Sequence, residues 1–203
     1  MRWRCILADN VKLIVGLGNP TAQYEKTRHN AGFWFLDDLS SLLGVGFKAE
    51  SRFLGVFGRT DIEGKPLYLL KPSTYMNRSG QSVAAVAGYF KVAAEEILVV
   101  HDELDLSPGM VRLKLGGGHG GHNGLRDIIS HVGTSKFLRL RLGIGHPGDR
   151  SMVSDYVLSQ PSRAEADCIG KAMGRALSEV AAIVRGEAVA AMNRLNSAGS
   201  FGE

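Results

Sequence analysis

Lys12-Leu-Ile-Val-Gly-Leu17 (KLIVGL) is a short, β-branched apolar run that ends in glycine and, three residues on, proline. That pattern predicts a buried strand followed by a turn. A helix is expected soon after, because residues 30–43 carry Phe33, Leu36, Leu39, Leu42 and Leu43 at near-helical spacing and meet Gly44 as a stop. Strand, turn and helix in that order suggest an α/β arrangement, and the remaining segments extend it. Residues 52–60 and 66–71 are expected as strands joined across Asp61-Ile62-Glu63-Gly64 in a hairpin. Residues 79–91 are expected as a second helix, and Glu96 to His101 (EILVVH) as another buried strand with polar residues at its C-terminal end.

Further along, residues 111–115 and 137–144 are expected as strands, with a short helix over about 124–132 between them. Ser162 and Glu165 have capping-box spacing, and Ile169, Met173, Leu177, Val180 and Val184 extend one helical stripe to Gly186. A last helix is expected from Glu187 to about Leu195. The fold class is therefore α/β, a single domain with a central mixed, twisted sheet covered by helices on both faces. Residues 1–10 are set apart as an N-terminal extension, 11–196 as the domain and 197–203 as a frayed tail.

The totals narrow the function. The 203-residue chain is 44% apolar and 22% charged, ordinary for a globular protein. No apolar stretch approaches a membrane span and residues 1–10 lack the apolar segment of a secretory signal, so a cytoplasmic location is expected. Cys5 and Cys168 form neither a metal-ligand pair nor a disulfide framework, which agrees with a reducing compartment. Of the net charge of +4, residues 110–150 carry +5, from seven Lys or Arg against two acidic residues, and the rest of the chain carries −1. Localised basicity of this kind suits a polyanion, although a solvated basic face has the same composition.

Three polar clusters follow strands, where ligands of α/β sheets gather. They are Asn19 after the first strand, His101 and Asp102 after the EILVV run, and the glycine loop Gly116 to Gly124 (GGGHGGHNG). Six glycines in nine residues read either as a flexible turn or as main chain that must approach a ligand closely. His29 sits in a loop entering a helix, where a neutral imidazole could serve as a general base if a carboxylate fixed its other nitrogen. Asp102, Glu103 and Asp105 are the candidate partners, and a helix-start histidine with a capping aspartate is the plainer alternative. Asn19, Asn77 and Asn123 each flank turn residues, and converging amides could hold a peptide backbone or developing carbonyl charge. No nucleophile elbow and no Walker lysine motif occur, and Gly16-Leu17-Gly18 lacks the third glycine of a dinucleotide fingerprint. His119 and His122 are spaced for a metal, but no further ligand pattern completes a site.

Six blocks in order, GLGNP (16–20), TRHNAG (27–32), KPSTYMNRSG (71–80), HDELDL (101–106), GGGHGGHNGLRD (116–127) and LRLGIGHPG (140–148), resemble bacterial-type peptidyl-tRNA hydrolase. The resemblance implies an enzyme that hydrolyses the ester between a peptide and the 3′-terminal ribose of tRNA, without metal or cofactor, as a monomer. It implies His29 as general base and Asp102 as the carboxylate that keeps it basic. Asn77 and Asn123 match residues that position the peptidyl end and the attacking water, and Asn19 matches one that distinguishes blocked from free aminoacyl ends. Tyr24 and Tyr75 fall where the family contacts the tRNA 3′ terminus, and Lys114 and Arg141 where it grips tRNA phosphate. A noncatalytic RNA-binding relative of the same fold, and a metal-dependent hydrolase using His119 and His122, are the rival readings. Thr21 stands where the family commonly has glycine, which disfavours a positive-φ turn there and favours a type I turn.

Overall fold

The computed structural model describes residues 10–197. The expected extension and tail therefore lie outside the described residues, except for Asn10 and Ser197. Asn10 is already docked, its side-chain oxygen accepting a hydrogen bond from Lys65 Nζ at 2.9 Å.

Seven strands form one mixed sheet in the order β2-β3-β4-β1-β5-β7-β6. They are β1 Leu13–Gly16, β2 Lys48–Glu50, β3 Gly55–Ile62, β4 Lys65–Pro72, β5 Ile97–Glu103, β6 Val111–Leu115 and β7 Leu138–Gly143. The four central strands, β4, β1, β5 and β7, run parallel, while β2, β3 and β6 join antiparallel at the two sides. Strand β1 and the Ile97–Val100 part of β5 are fully buried apolar runs, as expected of parallel strands covered on both faces. The α/β class and the mixed sheet thus stand as the sequence suggested.

Helices α1 (Ala31–Leu43), α2 (Ser79–Phe90) and α3 (Asn123–Val132) follow strands or loops. The C-terminal third supplies α4 (Val153–Val157), α5 (Arg163–Leu177), α6 (Val180–Arg185) and α7 (Ala188–Ser197). Two cores result, one per sheet face. Phe35, Leu36 and Leu39 of α1 pack with Ile169, Met173, Ile183 and Leu195 against Leu98, Val100 and Leu140. On the other face Val83 and Val86 of α2 and Leu125 and Ile128 of α3 cover Leu13, Val15, Val99 and Phe137.

Three expectations need correction. The hairpin turn is only Glu63-Gly64, not the four residues from Asp61, because both have positive φ (52° and 78°), the pattern of a two-residue type I′ turn that lets Asp61 and Ile62 stay paired. At the other end of that strand Arg52 lies in a 3-10 turn, Ser51–Phe53. The long C-terminal stripe is two helices, broken at Ser178-Glu179, where the Ser178 hydroxyl bonds back to Arg175 O at 2.7 Å. The apolar stripe survives the break, since Val180, Ile183 and Val184 remain buried.

Close approach of α1 to the sheet sets the position of everything above it. A Cβ on Gly32 would lie 2.4 Å from both Leu17 N and Val100 O, and one on Gly16 would lie 2.3 Å from Gly32 O. Only glycine fits this pair of positions. The N-terminal end of α1 therefore rests directly on the C-terminal ends of β1 and β5.

Candidate active site

Residues Arg28–Asn30 form a 3-10 turn that runs into α1, and the seating of Gly32 on β5 lowers that turn onto the end of the strand. There His29 Nδ1 lies 2.9 and 3.0 Å from the two carboxylate oxygens of Asp102. Asp102 was one of three candidate carboxylates by residue type and the one the resemblance implied, and the fold brings it to His29 across 73 positions of sequence. Nδ1–H donates to the carboxylate, which leaves Nε2 as the lone-pair nitrogen facing a cavity of about 1140 Å³ lined by His29, Asn19, Tyr75, Asn77, Asp102 and Asn123, among others. Burial opposes charging of the His29 ring, but the Asp102 charge and hydrogen bond outweigh it and hold the pKa above the ordinary 6.5. Burial likewise disfavours the Asp102 anion, yet His29 and His122 together keep the carboxyl well below the usual carboxylate range.

His122 is the second imidazole on that carboxylate, with Nε2 at 3.0 Å from Asp102 Oδ1. It is also the N-cap of α3, its Nδ1 accepting from Leu125 N–H at 3.3 Å. With Nδ1 accepting from Leu125 N–H, His122 donates its Nε2–H to Asp102. The residue beneath, His101, donates Nδ1–H to Asp102 O at 2.6 Å and is neutral, its pKa pushed down to about 3 by burial and then by His122. The sequence grouped His101 with Asp102 but gave no sign of the His122 bond, because a glycine-rich spacer hides where a loop returns.

Each asparagine is positioned by a different device. Asn19 N–H donates to Asn30 Oδ1 at 2.9 Å, Asn30 Nδ2 returns to Asn19 O at 3.0 Å, and Asn19 Oδ1 accepts from Met76 N–H at 2.9 Å. That leaves its Nδ2 donor group for the cavity. Thr21, whose replacement of glycine bore on this aim, is extended (φ −88°, ψ 145°) and begins the 3-10 turn Ala22–Tyr24, so no positive φ is required of it. Asn77 and Asn123 are carried on the entrances of α2 and α3. These two ends are tied where Asp127 Oδ2 accepts from Gly80 N–H at 2.7 Å, and a Cβ on Gly80 would lie 2.2 Å from Asp127 O.

Tyr75 lines the cavity with 54% of its surface exposed, whereas Tyr24, in the preceding 3-10 turn, is not among the lining residues. Lys114 and Arg141 line an adjoining cavity of about 250 Å³ with His101, Glu103, Asp105, Gly118 and Arg139. His119, Gly120, Glu103 and Asp105 border both spaces, so the glycine loop is the partition. His119 Nδ1 accepts from Gly121 N–H at 3.0 Å, while both His122 nitrogens are engaged by Leu125 N–H and Asp102. Among the described residues the grouping of three with ligand atoms within 4.8 Å of one another is His29, Asp102 and His122, whose two ring nitrogens nearest the carboxylate both serve as its N–H donors.

Several lining residues were not foreseen as site residues. Arg78, Arg126, His146 and Arg150 ring the larger cavity, and Val153, Val157 and Leu158, on or just after α4, supply an apolar wall. Arg28 fastens that wall to the turn that carries His29, bonding Ser159 Oγ at 2.7 Å, Gln160 O at 2.9 Å and Glu165 Oε2 at 2.9 Å. The signal available was the basic window itself, since five of its seven cations, Lys114, Arg126, Arg139, Arg141 and Arg150, border one cavity or the other.

Comparison with known proteins bears directly on this arrangement. Residues 13–201 match the family model described as peptidyl-tRNA hydrolase. A peptidyl-tRNA hydrolase of Alcanivorax borkumensis is 54% identical over 94% of this chain and 98% of its own length. One of Acinetobacter baumannii is 52% identical over 93% of this chain and 97% of its own. The crystal structure of the peptidyl-tRNA hydrolase from Acinetobacter baumannii superposes with a TM-score of 0.91 at 51% identity, covering 93% of this chain and 96% of that one. With fold, buried His-Asp pair and near-full-length identity in agreement, the chain belongs to the bacterial peptidyl-tRNA hydrolase family.

Proposed function

We propose that His29 acts as the general base in hydrolysis of the ester bond of peptidyl-tRNA, with Asp102 orienting and charging it and no metal taking part. The activity itself follows from family membership: the chain is a hydrolase that releases peptide and tRNA. One observation carries the mechanistic reading, the hydrogen bond from His29 Nδ1 to Asp102 with Nε2 open on the large cavity. Nε2 takes a proton from water as its oxygen bonds the ester carbonyl carbon. The tetrahedral oxyanion is held by side-chain N–H groups of Asn77 and Asn123, and Asn19 Nδ2 meets the peptidyl end. Collapse breaks the bond to the 3′ ribose oxygen, which receives the proton back from His29. Asp102 stabilises the imidazolium between those steps, a division of labour familiar from other histidine bases.

Electrostatics support the assignment of Lys114 and Arg141 to tRNA phosphate. On the β6–β7 ladder Lys114 lies directly opposite Arg139, and Arg112 opposite Arg141. Two such like-charged pairs in succession concentrate positive potential around Lys114 and Arg141, which suits a polyanion. Tyr75 at the cavity mouth suits stacking on the unpaired 3′ end. Tyr24 has less support, since it stands off the cavity. No helix of the described residues is long and apolar enough to cross a membrane, which is compatible with the cytoplasmic, monomeric enzyme inferred here. The noncatalytic alternative is not favoured beside relatives named as hydrolases at 50% identity and above.

The test is release of peptide from N-blocked aminoacyl-tRNA, with and without chelator. His29→Ala is expected to lower kcat by about 10² to 10⁴ while tRNA affinity holds, and wild-type activity should persist in chelator. Turnover by His29→Ala at the wild-type rate would refute the base assignment, and loss of wild-type activity on chelation would restore a metal-assisted route.

A further inference from the structure

Strand β7 carries a guanidinium at a position where a buried sheet face ordinarily takes an apolar side chain. Arg139 is 4% exposed, and the neighbouring carboxylate, Glu103, is bonded to Arg141 instead. Its two terminal nitrogens donate to consecutive carbonyls of the glycine loop, Nη2 to Gly117 O and Nη1 to Gly118 O, while the guanidinium lies 4.8 Å from the centre of the Phe137 ring. Gripping two successive carbonyls needs a planar fork, which arginine has and lysine lacks.

The held segment leads into the catalytic groups. Gly116 and Gly117 have φ of 67° and 104°, a backbone path that resists ordering unless something fastens it. Past the fork, His119 O accepts from His122 N–H at 2.9 Å, and His122 then caps α3 and donates to Asp102. Asn123 is the next residue and the first of α3. Arg139 is thus linked to the His122–Asp102 bond through five residues of loop, and its own Nη groups are already committed to main chain rather than presented to a phosphate.

We propose that Arg139 is a positioning residue for ester hydrolysis: its fork orders the glycine loop so that His122 meets Asp102 and Asn123 faces the cavity, without touching tRNA. The proposal rests on the reading of His29 and Asp102 as the base pair. It differs in kind from the part assigned to Lys114 and Arg141. A phosphate contact sets affinity and salt dependence, whereas a loop fastener sets the geometry of the reacting groups.

The experiment compares Arg139→Ala, Arg139→Lys and Lys114→Ala in steady-state hydrolysis of N-blocked aminoacyl-tRNA, in the slope of tRNA affinity against salt, and in ring ¹⁵N NMR of His122. In Arg139→Ala kcat is expected to fall on the order of 100-fold, the effect of an ångström-scale misplacement. KM and the salt slope should stay at wild-type values, and the His122 Nε2–H tautomer signal should be lost. Added methylguanidinium should restore both kcat and that signal. Arg139→Lys, which keeps the charge and the stem and tests the fork where the alanine variant does not fold, should show the same losses. Lys114→Ala should do the reverse, flattening the salt slope with the His122 signal intact. A salt slope reduced by about one in the Arg139 variants would make Arg139 a phosphate contact and overturn the proposal. Unchanged kcat, or loss of kcat with an unaltered His122 signal and no rescue, would overturn it equally. The His122 signal is read without turnover, so it reports on the loop even if the assignment of His29 fails.

Discussion

Replacing Asp102 by asparagine separates the electrostatic part of the catalytic pair from its packing, because the two side chains have nearly the same shape. In the native site Oδ1 accepts from both His29 Nδ1 (2.9 Å) and His122 Nε2 (3.0 Å), and Oδ2 lies 3.0 Å from His29 Nδ1. With asparagine, the amide oxygen retained at the Oδ1 position still lies within reach of both rings, but the N–H group at the Oδ2 position, 3.0 Å from His29 Nδ1, faces the Nδ1–H donor. Two donors cannot share that contact. The ring relieves it by moving its proton to Nε2, and the nitrogen that must accept the water proton is then occupied. A carboxylate at about 4 Å stabilises the imidazolium by about 4 kcal/mol at an effective dielectric of 20, all of which disappears. Loss of tautomer and charge together predicts a fall in kcat on the order of 10³ to 10⁴. The pH profile carries the sign. Wild-type kcat/KM should decline as pH falls through a value above 6.5, since Asp102 raises the His29 pKa. In Asp102→Asn only burial remains, which lowers that pKa, so the residual activity should persist to a lower pH. Initial rates of peptide release between about pH 5 and pH 9 measure both effects. A variant within threefold of wild-type kcat, or one whose acid limb moves upward, would refute the reasoning.

Three further outcomes follow from other parts of the site. Lys114→Ala and Arg141→Ala should each weaken tRNA binding and reduce the slope of log affinity against log salt by about 0.9 per lost phosphate contact, and filter binding at several salt concentrations with an unchanged slope would dismiss the assignment. Tyr75→Ala should cost about 1 to 3 kcal/mol of binding to a substrate that ends in the unpaired 3′ strand and nothing for a duplex lacking it, as read by competition. Gly32→Ala should destabilise the fold by about 1 to 3 kcal/mol through overpacking and lower kcat as well, because the added Cβ meets Leu17 and Val100 main chain 2.4 Å away. Thermal unfolding and single-turnover rates together test it, and wild-type behaviour in both would mean that α1 can lift without moving His29.

How much of this was legible depended on whether the governing contacts were local. Strand β1, helix α1 and strand β5 announce themselves, because buried parallel strands are continuous apolar runs and a one-sided helix repeats every three or four residues. The two-residue turn at Glu63-Gly64 was blurred because positive φ at glutamate leaves no mark in composition. The short strand β2 and the five-residue α4 escaped notice, since three to five residues carry no period to detect. Within the site, residue chemistry nominated His29, Asp102 and the three asparagines, and the family resemblance gave them roles. Nothing local could reveal that Gly16 and Gly32 are a matched pair, that Asp127 fastens Gly80, or that Arg28 anchors the wall after α4, because each is a contact across the fold.

The glycine loop makes the same point about function. Its composition alone is equally consistent with a slack connection and with a site, and its two histidines first suggest metal or base. The bonds divide these roles. His119 turns the loop by accepting from Gly121 N–H, while His122 spends one nitrogen capping α3 and the other on Asp102. With Nδ1 accepting from Leu125 N–H, the proton that reaches Asp102 is the one on Nε2, so a single ring caps the helix and orients the carboxylate. Asp102 therefore meets one imidazole whose Nε2 is open on the cavity and one with both ring nitrogens bonded. With both His122 nitrogens engaged, the carboxylate keeps its orientation toward His29, and on the proposed reading of His29 as base the loop serves catalysis through that bond as much as through the asparagine it presents.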